Sequence, residues 1–313
     1  MQTLQQLKAV YDLPLPELMF RAAVVHRANH DLGDIQRCAL LSIKTGGCPE
    51  DCGYCAQSAA YQTSVRATPL LSVAEVQEQA SRAKQLGATR FCMGAAWRGP
   101  RDGPHFDRVL EMVRAVRNLG MEACVTLGML SDDQARRLRE AGLTAYNHNL
   151  DTSRRYYPQV ISTRSYDDRL ATLAAVQRAG IAVCCGAILG MGESEEDRLL
   201  LLAELAALDT PPESIPINCL VTVPGTPLEN AAPVDALQLV RLVATTRIAF
   251  PRARVRLSAG RNRLSRELQL LCFLAGANSI FFGEKLLTAA NVTADEDAEL
   301  FRAMGVPIAV GDT

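Results

Sequence analysis

The stretch ALLSIKTGGCPEDCGYCAQ, residues 39–57, runs from a β-rich segment straight into three closely spaced cysteines. Its first part, 39–47, is one of eight short β-rich runs; the others lie at 89–96, 122–128, 145–151, 182–191, 214–222, 254–260 and 279–286. A helical pattern follows each. Capping boxes open several helices, Ser72 with Glu75 and Ser131 with Gln134, and Ser194 with Asp197 is a weaker variant. Glycines close them, as at Gly87, Gly120, Gly142, Gly180 and Gly276. Eight alternating units predict a parallel sheet closed into an α/β (β/α)8 TIM-type barrel, its site at the C-terminal strand ends. The expected organisation is one domain: an N-terminal helical extension over 1–38 with a helix near 15–29, a barrel over 39–305, and a tail over 306–313.

The rhythm breaks once. About two dozen residues separate Gly47 from Ser72, and loops that long are usually functional. Cys48, Cys52 and Cys55 begin this loop, immediately after the first strand. Three thiolates are one too few for a closed zinc site, and no nearby Cys or His completes one. Cys52-Gly-Tyr-Cys55 also reads as a dithiol, which leaves the third cysteine unexplained. Pro49, Glu50, Asp51 and Gly53 argue against a buried apolar setting. An iron–sulfur cluster fits better: thiolates are its usual ligands, and three cysteines under four irons leave one iron open to a small molecule.

Composition narrows the class. The 313 residues are 48% hydrophobic and 21% charged, as in an ordinary globular protein. A net charge of −1 supplies no field for nucleic acid or an anionic membrane. No apolar run is long enough to span a bilayer or act as a secretory signal, so a cytoplasmic location is expected. In that reducing compartment ten cysteines are expected to be core residues, metal ligands or redox groups rather than disulfides.

Strand parity adds a second feature. Residues two apart on a strand share a face, which groups Arg90 with Cys92 and Gly94, Asn147 with Asn149 and Asp151, and Arg256 with Ser258 and Gly260. Barrel interiors normally hold branched apolar side chains. The arginines either enter the barrel or sit beneath the helices as buried ion pairs. Cys92, Cys124 and Cys184, each on a different strand, are either small core residues or a cluster inside the barrel.

The chain resembles the biotin synthase family of radical S-adenosylmethionine enzymes. The resemblance rests on SIKTGGCPEDCGYCAQS, RFCMGAAW, EACVTLG, YNHNLDTS, PINCLV, VRLSAGR and AGANSIFFG, in that order, with Tyr54 before the last loop cysteine. It covers about residues 15 to 305. It implies that Cys48, Cys52 and Cys55 hold a [4Fe–4S] cluster whose open iron chelates S-adenosylmethionine. One-electron cleavage would give methionine and a 5′-deoxyadenosyl radical that takes hydrogen from dethiobiotin. It implies further that Cys92, Cys124, Cys184 and Arg256 ligate a [2Fe–2S] cluster that donates sulfur. Arginine is an odd ligand, because its guanidinium carries only donors.

The same resemblance places Tyr54, Asn149, Asp151, Gly190 and Gly192 near S-adenosylmethionine, and Asn147, Asn218 and Thr288 near dethiobiotin; Lys44, which shares a strand face with Ser42 and Gly46, is read as lining the same site. Where the family commonly has two threonines, this sequence reads Thr288-Ala289, so one hydroxyl is missing. A low-potential donor, flavodoxin or ferredoxin, and a homodimer are implied. Cys38 is read as preceding strand one, Cys185 and Cys272 as packing, Cys219 as opposite in parity to Asn218, and His148 as a packed histidine. A radical mutase or lyase would need only the loop triad; a cluster carrier would expose its cysteines.

Overall fold

The structure, a computed structural model, describes residues 2–31 and 33–306. Nine strands run β1 (Gln36–Lys44), β2 (Arg90–Ala95), β3 (Glu122–Thr126), β4 (Ala145–Asn147), β5 (Ala182–Cys184), β6 (Ala187–Leu189), β7 (Ser214–Cys219), β8 (Arg254–Leu257) and β9 (Ser279–Phe281). All pair in parallel in the order β5-β4-β3-β2-β1-β9-β8-β7-β6, and β5 also pairs with β7, which closes the barrel. The fifth expected run is split. Gly186 would face Pro216, which has no N–H to donate, so the ladder lapses between Cys184↔Ser214 and Ala187↔Ile217 and resumes in the same register. Eight strand positions therefore enclose the barrel.

Helices α1 (Leu4–Tyr11) and α2 (Leu15–Asn29) precede the barrel. Around it lie α3 (Val73–Gln85), α4 (Pro104–Asn118), α5 (Asp132–Glu140), α6 (Tyr166–Arg178), α7 (Glu195–Ala207), α8 (Ala236–Ala249), α9 (Arg266–Leu274) and α10 (Ala294–Ala303). All three expected capping boxes form, at Ser72, Ser131 and Ser194, each stabilising by about 1 kcal/mol. Leu7, Tyr11, Leu18 and Ala22 are buried, and the Arg241 guanidinium of α8 donates to the carbonyls of Tyr11 and Leu13. These contacts hold the extension against the barrel.

Two boundaries differ from expectation. Strand β1 begins at Gln36, because Gln36–Cys38 pair with Ser279–Phe281 of β9 at the closing seam. That pairing is non-local and leaves no mark in the flanking sequence. The last expected strand ends at Phe281, and the chain then turns through an antiparallel hairpin, β10 (Lys285–Leu286) with β11 (Ala289–Ala290). The tail expected over 306–313 lies, beyond Val306, outside the described residues.

Alternation along the strands separates two environments. Phe91, Met93, Ala123, Val125, Tyr146, Val255 and Ile280 join the apolar layer beneath the helices. Cys38, Cys92, Cys124 and Ala145 form a separate cluster within the barrel. Among the described residues no helix is long and apolar enough to cross a membrane.

Candidate active site

The mouth of the barrel is shaped by the loop after β1. Gly46 has φ +67°, and a Cβ there would come within 3.0 Å of the Ala67 backbone, so the loop folds tightly back on itself. The Cys48 N–H donates to Gln57 at 2.9 Å and the Ala59 N–H to the Cys48 carbonyl at 2.7 Å. Gly53 N–H reaches the Val160 carbonyl at 2.9 Å. Desolvation alone would raise the Asp51 carboxyl, but hydrogen bonds from Ser162 and Thr163 bring it down to about 2. Buried Glu50 is gripped by Arg98 at 2.9 Å and lies 3.8 Å from Arg164. The acidic residues between the cysteines thus anchor the loop to the 160–164 segment.

All three loop cysteines line a cavity of about 350 Å³. Burial pushes the Cys52 thiol up to about 12 and raises Cys48 and Cys55 as well. Free, these groups stay protonated at neutral pH; a bound metal would displace their protons. Among the described residues no three Cys, His, Asp or Glu side chains converge on a single ion. Three thiols under four irons leave one iron open to a small molecule, and this donor set fits an iron–sulfur cluster.

Beside the thiols, Tyr54 Oη donates to Asp151 Oδ2 at 2.8 Å, and Arg169 Nη2 reaches the same oxygen at 2.6 Å. Arg169 also donates to the Asn149 carbonyl and to Tyr157 Oη. Asp151 has φ +67°, unusual for a side-chain-bearing residue, and is 2% exposed. Asn149 Oδ1 accepts from Asn147 Nδ2 and from the Gly186 N–H, each at 3.1 Å. Asn147 further donates to Cys184 Sγ at 3.3 Å. The Asn218 amide is oriented by the Ala187 carbonyl at 2.9 Å and the Ala259 N–H at 3.2 Å.

Deeper, Cys92, Cys124 and Arg256 line the cavity floor, and Cys184 is fully buried beside them. Arg256 enters the barrel. Its Nε donates to Ser279 Oγ at 2.9 Å, Nη2 to Gln36 Oε1 at 3.2 Å, and Nη1 lies 3.6 Å from Cys184 Sγ. Beneath it Arg90 also points inward, bridging Glu122 at 2.7 Å and Glu213 at 3.0 Å, and this trio plugs the barrel end. Such a dense sulfur set around one guanidinium fits an iron–sulfur cluster in its donor chemistry.

The remaining expected residues divide between the cavity wall and its surroundings. Cys38 does not precede β1 but lies within it, its thiol inside the barrel among Cys92 and Cys124. Lys44 does not line the cavity. The β1–β2 register shifts between Ser42 and Lys44, and the ammonium turns to the carbonyls of Gly46 and Ala96. Gly190 and Gly192 are likewise absent from the lining. Both have positive φ in a turn braced by the Glu193 carboxylate, and Gly192 packs on Tyr156. Thr288 does line the cavity, with Leu287 and Ala289, so the missing hydroxyl falls on its wall. His148 and Cys219 border the cavity too; the His148 ring is 3% exposed with no partner for Nε2. Cys185 and Cys272 sit in the apolar core. Arg164, Arg169 and Trp97 also form the wall, and none had been singled out. Arg169 sits on a helix, where its charge reads as an ordinary solvated face.

Comparison with known proteins now decides between radical enzymes of this architecture. The Radical SAM superfamily profile matches residues 42–205, and the Biotin and Thiamin Synthesis associated domain matches 216–307. A biotin synthase of Methylobacterium sp. (strain 4-46) is 64% identical over 307 residues, covering 98% of this chain and 92% of its own. That of Gloeobacter violaceus is 59% identical over 304 residues, covering 97% and 96%. The chain belongs to the biotin synthase family. Family membership brings the cofactors with it: a [4Fe–4S] cluster, S-adenosylmethionine and a [2Fe–2S] cluster. Solved structures are more distant. Methylornithine synthase (PylB) superposes with a TM-score of 0.81 at 19% identity, over 97% of this chain and 93% of its own, which supports the shared fold alone.

Proposed function

We propose that Cys48, Cys52 and Cys55 hold the [4Fe–4S] cluster and that Cys92, Cys124, Cys184 and Arg256 hold the [2Fe–2S] cluster of a biotin synthase, which inserts sulfur into dethiobiotin. The observation that carries this reading is the stacking of two sulfur sets on one cavity, three thiols at its mouth and three with a guanidinium at its floor. When bound, the clusters and S-adenosylmethionine supply one-electron sulfonium cleavage, hydrogen abstraction from unactivated carbon, and the sulfur atom itself.

The chain's own residues orient and enclose. Tyr54 and Arg169 fix the Asp151 carboxylate, which with Asn149 would accept and donate to ribose hydroxyls. Asn147 and Asn218, pre-oriented by backbone partners, would pair with the ureido group of dethiobiotin. Thr288 would meet the substrate's carboxylate end. Leu40, Trp97, Ile188 and Leu287 give the cavity apolar walls that keep water from the reacting carbons. The segments matched by the two family profiles act as one barrel unit. The substrate identity, a flavodoxin or ferredoxin donor, a homodimeric assembly and a cytoplasmic setting belong to the same reading, carried by family resemblance.

The test is anaerobic reconstitution with iron and sulfide, then turnover with S-adenosylmethionine, a low-potential reductant and dethiobiotin. 5′-Deoxyadenosine should appear together with biotin. 5′-Deoxyadenosine without sulfur in the product would reject the reading. Undiminished product from Cys124→Ala would reject the floor assignment.

A further inference from the structure

The barrel interior holds one more thiol than the proposed ligand set uses. Cys38 on β1 is fully buried and packs with Cys92 and Cys124. Its Sγ lies 3.4 Å from Gln36 Oε1 and 3.8 Å from Ser279 Oγ. Those are the two groups that hold Arg256, whose Nη2 donates to Gln36 Oε1 at 3.2 Å and whose Nε donates to Ser279 Oγ at 2.9 Å. Cys38 and Arg256 thus share one corner of the chamber. Cys185, adjacent in sequence to Cys184, packs into the outer apolar core, and Cys219, which borders the cavity, packs against that same core rather than with Cys92 and Cys124. Among the described residues Cys38 is therefore the additional thiol in this chamber.

Chemistry ranks the two side chains at that corner. A guanidinium has no lone pair to give a metal until it loses a proton, which it holds tightly. A thiolate is the usual ligand of iron–sulfur clusters. A second structural point is the shared acceptor. The Gln36 amide oxygen receives Arg256, Cys38 and Ser279 Oγ together, while its Nε2 is tied to Glu122 at 3.1 Å, so one fixed amide holds both side chains at this corner.

We propose that Cys38 is a reserve thiolate ligand of the interior [2Fe–2S] cluster, able to take the iron position of Arg256. The exchange balances without an external reagent. The Cys38 S–H bond breaks as an iron–sulfur bond forms; the iron–nitrogen bond to the neutral guanidine breaks, and the thiol proton passes to that nitrogen. Such an exchange keeps iron in the barrel when cluster sulfur is given up. The proposal rests on the assignment of the [2Fe–2S] cluster to this chamber, and the experiment separates the two.

The full-length protein and its Arg256→Ala, Cys38→Ser and doubly substituted forms are reconstituted anaerobically with ⁵⁷Fe and sulfide. Mössbauer spectra count each cluster type, and absorption and reduced-state EPR spectra report the ligands of the [2Fe–2S] cluster. Absence of any [2Fe–2S] signal from the parent protein overturns the chamber assignment itself. With that signal present, Arg256→Ala should acquire an all-thiolate spectrum, and adding Cys38→Ser should abolish it. An Arg256→Ala spectrum without all-thiolate character overturns the proposal, as does an all-thiolate spectrum that survives in the double variant. The [4Fe–4S] signal serves as the folding control. Should the double variant lose it, the Arg256→Ala spectrum decides alone, because four thiolates at the floor require Cys38.

Discussion

Removing the Asp151 carboxylate tests whether the mouth of the site is held by a buried ion pair. Asp151 and Arg169 are 2.6 Å apart, with side chains 2% and 4% exposed, and Tyr54 Oη donates to the same oxygen at 2.8 Å. Asp151→Ala leaves the guanidinium with only the Asn149 carbonyl and Tyr157 Oη, and leaves the Tyr54 hydroxyl without its acceptor. Stranding one member of a buried pair costs about 3–5 kcal/mol. At about 2 °C per kcal/mol for a chain of this size, the cluster-free protein should melt roughly 6–10 °C lower. Thermal unfolding followed by circular dichroism measures this. The decisive comparison is with Arg169→Met, alone and combined. Once both charges are gone the buried-charge penalty is gone too, so the double variant should be more stable than the two single losses added together would make it, by roughly 2 kcal/mol or more. Strict additivity, or a melting point within about 1 °C of the parent for Asp151→Ala, would refute the pair as the element that fixes this wall.

Three further outcomes are expected. Cys52→Ala should lose the [4Fe–4S] Mössbauer signal and reduce 5′-deoxyadenosine release to background, while the [2Fe–2S] signal persists. Burial pushes His26 down to about 4 from its usual 6.5, so the unfolded chain binds a proton that the native protein refuses, and stability falls as pH drops below 6.5. Denaturant unfolding of the cluster-free protein at pH 6.5 and 5 should therefore show His26→Leu losing about 1.5 kcal/mol less than the parent between those values. Asp297→Ala, which strands the fully buried Arg261 guanidinium but removes no proposed cluster ligand, should cost about 3–5 kcal/mol with cluster content unchanged.

The barrel was legible because each unit carries local punctuation. The serine caps and closing glycines are short-range signals, and the structure realises them where they were read. Helix α1 had such a signal too, a Thr3–Gln6 capping box, but its eight residues were overlooked. What no local pattern gives is closure. The pairing of Gln36–Cys38 with Ser279–Phe281 joins segments more than two hundred residues apart, and it moves the first strand's start by three residues. Arg169 and Arg164 escaped for a related reason: a helix or loop arginine reads as solvated until the fold buries it beside Asp151 or Cys52.

Lys44 and Cys38 together show how far a parity argument reaches. Both share the inward parity of β1 with Leu40, and both were misplaced, for opposite reasons. Parity holds only while the ladder is regular. At Lys44 the register against β2 has slipped, so the side chain leaves the cavity and is captured by two carbonyls at the strand's end. At Cys38 the ladder is regular on both sides, to Arg90 and to Phe281, so parity applies in full and the thiol enters the barrel. The same reasoning orders the interior donors by depth. Arg90 plugs the end, Cys38 and Arg256 meet on Gln36 and Ser279, and Asn147 links Cys184 to Asn149. On the proposed assignment, a radical formed at the mouth and a sulfur atom held at the floor would meet on a molecule spanning the space between, which the fixed amides of Asn147 and Asn218 line.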